Sequence, residues 1–295
     1  MTLVDDMTPK EMFLGLYETS STTGESLAQV IIDVLIRFDL PLTQLRGQCY
    51  DGASNMSGTF RGVQARVKEL QPQALFVHCA AHSLNLALQS TIENTIVRDA
   101  FQYLNDLVVL FKRSAKRQDI LKKADGKIQS LCPTRWTMRT VAVESVLKNY
   151  GPILAALDEV SNETGSADSR AKARGLYIQF SSSQIYWSLC VSKIVFSLIE
   201  RLSSATLQKS TTTVAGALAA VQMTHDALMT ARNDATFDDI MQQVAVAQLS
   251  NDLDPLSAPR TRRPPRRLDD GVPPVELTAD MFYRQQFYQV CKCCI

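Results

Sequence analysis

The sequence predicts an α/β protein in two parts: a mixed or parallel sheet flanked by helices, then a long region of helix alone. Three observations carry this. Strand-length apolar runs at 11–18, 46–50 and 74–78 are separated by segments of helical periodicity. After His78 the strand signal stops, and apolar residues recur only at spacings of three and four. Aromatic residues are 7% of a chain that is 45% hydrophobic, a composition suited to helix packing through Leu, Ile, Val and Ala.

Glu11–Glu18 is a compact apolar run of strand length. Thr22-Thr-Gly-Glu25 has the spacing of a capping box, and the helix expected after it carries Leu27, Ile31, Val34, Leu35 and Phe38 on one face. Pro41 stops that helix. Arg46–Tyr50 reads as the second strand and ends at Asp51. A second helix is expected from about Asn55 to Leu70, capped by Asn55 or Ser54, with Pro72 closing the segment. Ala74–His78 is the third strand. The β-α-β-α-β order calls for one sheet with Met12–Tyr17, Arg46–Tyr50 and Ala74–His78 adjacent.

Helical stripes follow. Ser83–Ile92 looks helical; Val97, Phe101, Leu104, Val108 and Phe111 form one face, and Val143, Leu147, Tyr150, Leu154 and Leu157 another, with a break at Gly151-Pro152. Residues 171–202 and 212–249 continue in the same style. The prolines and arginines of 252–274 describe a basic, extended linker, and 275–295 returns to apolar and aromatic residues as a short, truncated C-terminal segment. The division expected is therefore 1–92 for the sheet-containing core, 93–251 for the helical domain, then the linker and the tail.

A chain of 295 residues with a net charge of +1 has no global field to draw nucleic acid, so any such binding uses local patches. Seven scattered cysteines are no secreted disulfide framework and point to a reducing compartment. No apolar run approaches a membrane span, and no membrane partner is expected.

Asp51 stands at a strand end before a glycine turn, where side chains are held rigidly and exposed. By itself the position is equally that of a turn residue. The wider phrase Arg46-Gly-Gln-Cys-Tyr-Asp-Gly-Ala-Ser-Asn-Met56 resembles the second-aspartate block of hAT-superfamily transposases. His78-Cys-Ala-Ala-His82 and Cys132-Pro-Thr-Arg-Trp136 follow in the order that family shows. The resemblance runs from about Glu11 to the end.

It implies a partial RNase H-like core followed by a large all-helical insertion domain. The ancestral activity it implies is Mg²⁺-dependent DNA strand cleavage and transfer, with an Asp, Asp, Glu triad holding two metals against the phosphate. Asp51 matches the second aspartate and is the one metal ligand transferred. The first belongs on a strand before Glu11 and the glutamate on a helix after the region of Phe282–Tyr288, so the chain is expected to begin and stop too early to carry them. One ligand of three cannot hold two metals, and the chain as it stands is expected to be inactive. The alternative is a non-enzymatic DNA-binding or protein-interaction module, and a third reading is an unselected remnant.

His82 corresponds to a histidine near the scissile phosphate; the competing reading gives it a helix-start hydrogen bond. Zinc at Cys79-x-x-His82 is disfavoured because no second Cys/His pair accompanies it. Arg135 and Trp136 correspond to a pair near the transposon end, where Arg meets phosphate and Trp stacks on an unpaired base; burial of Trp136 is the competing fate. Lys112, Arg113, Lys116, Arg117, Lys122 and Lys123 form a basic run expected on one helix, either a phosphate-tracking face or a solvated one. Arginines 260–267 read as a nuclear-localisation or nucleic-acid patch. DNA and further copies of the chain are the partners this leaves, in the nucleus.

Overall fold

The computed structural model describes residues 2–5, 8–79, 82, 94–129, 137–162, 166–202, 214–259 and 277–292. They fall into two units, one built on Met1–Leu86 and one on most of the chain from Ala87.

Unit 1 opens with an antiparallel hairpin, β1 (Thr2–Asp5) and β2 (Thr8–Glu11), with Thr2 opposite Glu11 and Asp5 opposite Thr8. The expected strand at Met12–Tyr17 does not form. The run is apolar without alternation, so it has no face to bury, and Gly15 at φ +130° leaves the extended region. Phe13 and Leu16 stand 81% and 91% exposed, and the Tyr17 hydroxyl donates to the Leu14 carbonyl at 2.7 Å, closing a local turn.

Helix α1 (Gly24–Arg37) starts one residue later than the capping-box spacing predicts. Thr23 is its N-cap, and its side chain accepts from the Ser26 N–H at 3.3 Å. Ala28, Val34 and Leu35 are buried, whereas Phe38 lies past the helix end and is exposed. Two short strands, β3 (Gly47–Tyr50) and β4 (Leu75–His78), pair in parallel with Gly47 opposite Leu75 and Tyr50 opposite His78. Between them the single expected helix is two, α2 (Ser54–Ser57) and α3 (Val63–Leu70). Gly58–Gly62 divides them, two glycines in five residues being poor helix formers. Ala28, Val63, Val67 and Ala74 form the small core on which the pair rests, with Leu27, Ile31 and Tyr50 packed against it.

Unit 2 contains only helices among the described residues: α4 (Thr95–Lys112), α5 (Ala115–Lys123), α6 (Thr137–Lys148), α7 (Tyr150–Asn162), α8 (Ala167–Phe180), α9 (Ser183–Leu202), α10 (Val214–Ala231), α11 (Asp234–Asn251) and α12 (Ala279–Lys292). The stripe Val97, Phe101, Leu104, Val108 and Phe111 is buried as its periodicity requires. The break expected near Gly151-Pro152 falls at Asn149, which puts Pro152 in the first turn of α7, where its missing N–H costs nothing.

Helix α9 is the centre of this unit and touches α4, α6, α8, α10 and α11. Trp187, Leu189 and Val191 are fully buried on it. Two of its buried serines bond within the helix, Ser188 donating to the Gln184 carbonyl at 2.7 Å and Ser192 to the Ser188 carbonyl at 2.6 Å, while Ser183 donates to the Asp254 carbonyl. The chain after α11 turns back through Asp252 (φ 51°), and the Asp254 N–H reaches the Ser181 carbonyl at 2.8 Å, beside the start of α9.

The C-terminal segment read as a short tail is helix α12, and it belongs to this core. Tyr283 and Phe287 are buried; the Tyr283 ring packs edge-on against Trp187 at 4.9 Å and its hydroxyl donates to Gln184 Oε1 at 3.1 Å. Asn94 caps α4 by accepting from the Ile96 and Val97 N–H groups and donates across to Gln286 Oε1 at 2.8 Å. A cap of this kind contributes about 1 kcal/mol.

Candidate functional site

The parallel β3–β4 pair delivers two turns to one end of unit 1. Both strands run the same way, so the turns that follow their C-terminal ends lie side by side, where open α/β sheets place their sites. The first turn is Asp51-Gly52. The second begins at Cys79, whose N–H donates to the Tyr50 carbonyl at 2.9 Å.

Asp51 is exposed, and its Oδ1 accepts from the Ala53 N–H at 3.2 Å. That is an Asx turn, the plain structural role of an aspartate at this position. The imidazole of His82 lies against Gly52: a methyl group placed there would come within 3.0 Å of Nε2 and 3.1 Å of Cδ2. His82 is half-buried. Asp51 and the His82 ring are thus brought near each other, with Gly52 leaving room for the ring. Helix α2 has Ala53 at its N-cap with no side-chain cap; neither Ser54 nor Asn55 takes that role, and the Asn55 amide instead donates to the Thr22 carbonyl at 2.8 Å.

Mg²⁺ asks for a set of oxygen donors, several of them carboxylates. Among the described residues no group of three or more His, Cys, Asp or Glu side chains is arranged to hold a metal ion. Around Asp51 the donors among the described residues are one carboxylate, an imidazole and thiols, a set that does not fit a two-magnesium centre.

Sequence reasoning missed the polar clamps that hold this end together. Gln48 is buried in β3, and its amide donates to the Gln64 carbonyl at 3.0 Å and the Ala74 carbonyl at 3.1 Å, joining α3 to the entry of β4. Gln71 donates to the carbonyls of Leu42 and Thr43 at 3.2 and 2.6 Å. The available signal was a glutamine inside an otherwise apolar strand. Burial pushes the Tyr50 phenol up, with a smaller contribution from Cys49, so Tyr50 stays neutral beside the turn.

The basic run lies on two helices. Helix α4 ends at Lys112 with Arg113 as its C-cap, and Ser114 caps α5 by accepting from the Arg117 N–H. Serine followed by helix-forming residues is a start signal inside what sequence periodicity read as one helix. Lys112, Arg113, Lys116, Lys122 and Lys123 are exposed. Lys123 pairs with Asp119 at 3.1 Å. Arg117 is turned to structure: its Nε donates to the Leu110 carbonyl at 2.6 Å and a terminal nitrogen to Ser169 Oγ at 3.1 Å. Arg135 and Trp136 lie outside the described residues, as do arginines 260–267 and the helix expected at 83–92.

Residues 4–62 match the model of the family described as ZMYM1/FAM200, RNase-like domain (DUF4371). The match covers β1 to the Gly58–Gly62 loop and includes Asp51. The chain is 23% identical over 166 residues to the 52 kDa repressor of the inhibitor of the protein kinase of Homo sapiens, covering 52% of this chain and 22% of that protein. It is 22% identical over 167 residues to the Mus musculus protein of the same name, with the same shares. The chain is similar to domesticated hAT-type proteins. It spans about a fifth of the length of the curated relatives it matches. No solved structure matches it. No described helix is long and apolar enough to cross a membrane.

Proposed function

We propose that this chain is a transposase-derived module that holds DNA without cutting it and works in the nucleus. The observation that carries the reading is the basic corner where α4 meets α5. Lys112 at the end of α4, Arg113 at its C-cap and Lys116 in the first turn of α5 are all exposed, on a chain whose net charge is only +1. A local patch of this kind pairs with phosphates through charge and releases counterions, so binding is sequence-tolerant and steeply salt-dependent. That Asp51 brings one carboxylate to this turn among the described residues supports the non-enzymatic side of the reading.

The test is duplex-DNA affinity of the full chain as a function of salt, in chelator. Lys112→Gln and Arg113→Gln each weaken every sequence alike and flatten the log–log salt slope by about 1. Affinity and slope unchanged in the double variant would end the DNA reading. Arg117→Gln is the internal control: it lowers stability by about 2 kcal/mol, through lost charged hydrogen bonds, before it touches the slope.

The contact of His82 with Gly52 favours one second reading, a retained phosphodiester-cleaving site. It predicts cutting of hairpin or terminal-repeat DNA that vanishes in Asp51→Ala.

A further inference from the structure

The loop Gly58–Gly62, between α2 and α3, displays an aromatic ring beside a guanidinium. Phe60 is 88% exposed, and Arg61 next to it is exposed as well. A lone apolar side chain in water is ordinary; what sets this one apart is how firmly its loop is held. The Gly58 carbonyl accepts from the Gly62 N–H and from the Gln64 amide, each at 3.1 Å, which closes the loop at its base. A methyl group at Gly62 would come within 2.5 Å of the Gly58 nitrogen, so the two ends approach this closely only as glycines. The Arg61 carbonyl lies against Gly24 of α1, where a Cβ would meet it at 2.2 Å, and it accepts from Arg66 Nε at 3.5 Å. The backbone on both sides of Phe60 is therefore anchored while its ring stays in solvent. Glu25, in the first turn of α1, pairs with Arg66 at 3.5 Å rather than with Arg61.

We propose that Phe60 and Arg61 form a binding site for unpaired DNA. The inference rests on the DNA reading above and narrows it to strands whose bases are free. Inside a duplex each base is covered on both faces by its neighbours, so only an unpaired base can lie on the Phe60 ring. Adjacent residues then meet adjacent parts of one nucleotide: the ring takes the base, and the Arg61 guanidinium takes the phosphate through paired N–H donors. The loop borders an open cleft of about 530 Å³ with Ser54 and Asn55 on its wall, wide enough for one nucleotide. A ring face does not read the hydrogen-bonding edge of a base, so the site is tolerant of sequence. Because the loop is already fixed, little ordering cost is added on binding.

The experiment measures binding of the full chain, in chelator and at fixed salt, to a blunt duplex and to the same duplex carrying a single-stranded thymidine tail. The tailed DNA is expected to bind about tenfold more tightly, the contribution of a base stacked on an aromatic ring. Phe60→Ala removes that preference, keeps the circular dichroism of the parent and leaves the blunt-duplex affinity in place. Phe60→Tyr, which retains a ring, keeps the preference. Arg61→Gln weakens the tailed DNA and flattens its salt slope by about 1. Blunt-duplex binding with no tail preference, or with a preference that survives in Phe60→Ala, would overturn this inference and leave the DNA reading standing. Absence of binding to both DNAs would overturn the two together. A uridine tail of RNA bound more tightly than the thymidine tail would overturn the assignment to DNA.

Discussion

Unit 1 holds its β3–β4 pair with small side chains and polar clamps, whereas unit 2 closes around Trp187, Tyr283 and Phe287. The contrast begins in element length. Four-residue strands offer two side chains to each face, and here one face meets Ala28, Val63, Val67 and Ala74 while the other leaves Leu75 and Val77 65% and 61% exposed. Parallel strands are ordinarily covered on both faces, and a two-stranded pair is marginal alone. Unit 1 therefore draws more of its order from Gln48, Gln71 and Asn55, whose amides fasten loop carbonyls. Helix α9 in unit 2 has twenty residues and buries side chains all round. Local opening is expected first where few apolar contacts protect backbone hydrogen bonds, which is unit 1. The turn bearing Asp51 lies in the less protected unit.

The largest effect that sharpens this contrast is Trp187→Ala. The indole is fully buried at the centre of unit 2 and packs on Tyr283. Its removal should cost about 3–5 kcal/mol, read by denaturant unfolding, with α12 released alongside α9. A loss under about 1 kcal/mol would mean that unit 2 repacks freely and would erase the distinction between the units.

Gly24→Ala tests the other side. The first residue of α1 sits against the Gly58–Gly62 loop so closely that a Cβ would lie 2.2 Å from the Arg61 carbonyl and 2.8 Å from the Asn55 carbonyl. Both obstacles are backbone, so the loop or the helix must move, at about 1–3 kcal/mol. Amide exchange should quicken in 24–37 and 54–70 and stay unchanged in α9. Uniform quickening in both units would contradict independent local opening.

Helix packing in unit 2 was largely legible in the sequence, because a period near 3.6 writes burial directly: Val97 through Phe111 lie where their spacing puts them, as do Val143, Tyr150, Leu154 and Leu157, whereas Leu147 is only half-buried and Val146 takes the core position. The β3 and β4 strands were legible too, each a short apolar run ending in a polar motif. Met12–Tyr17 was misread because an apolar run states hydrophobicity and not a partner; a strand exists only where a neighbour supplies ladder bonds, and Gly15 breaks the run. The α2–α3 and α4–α5 divisions were missed because periodicity outvoted Gly58, Gly62 and Ser114. Of the candidate site, the Asp51 turn was visible, and so was its closeness to His82, because both residues follow the C-terminal ends of strands expected in one sheet. The role of α12 was hidden because its partners, Gln184 and Trp187, lie about a hundred residues away.

The smallest effect concerns how α12 is fastened to α11 at the surface. Asp234 accepts from the Tyr288 hydroxyl at 2.9 Å and pairs closely with Arg284, which also reaches Asp238 at 3.1 Å and Asp280 at 3.4 Å. The Tyr288 hydrogen bond first, and then Arg284, hold the Asp234 carboxyl below the ordinary carboxylate range. The same bond to Asp234 is the main reason the Tyr288 phenol is raised. The signs follow by linkage. A carboxyl depressed in the folded state contributes stability above its unfolded value and loses it as pH falls through the folded one. A phenol raised in the folded state contributes below its unfolded value and loses it as pH rises through the folded one. The clamp is therefore strongest between those limits and weakens at both ends. All these groups are solvated and salt screens them, so the contribution is small. Asp234→Asn should lower the melting temperature slightly at neutral pH, and the difference from the parent should shrink on acidification through the carboxylate range. High salt should shrink it as well. A difference that stays constant from neutral to acid pH would assign the role of Asp234 to the first turn of α11, and the surface clamp would then contribute nothing to the contrast between the units.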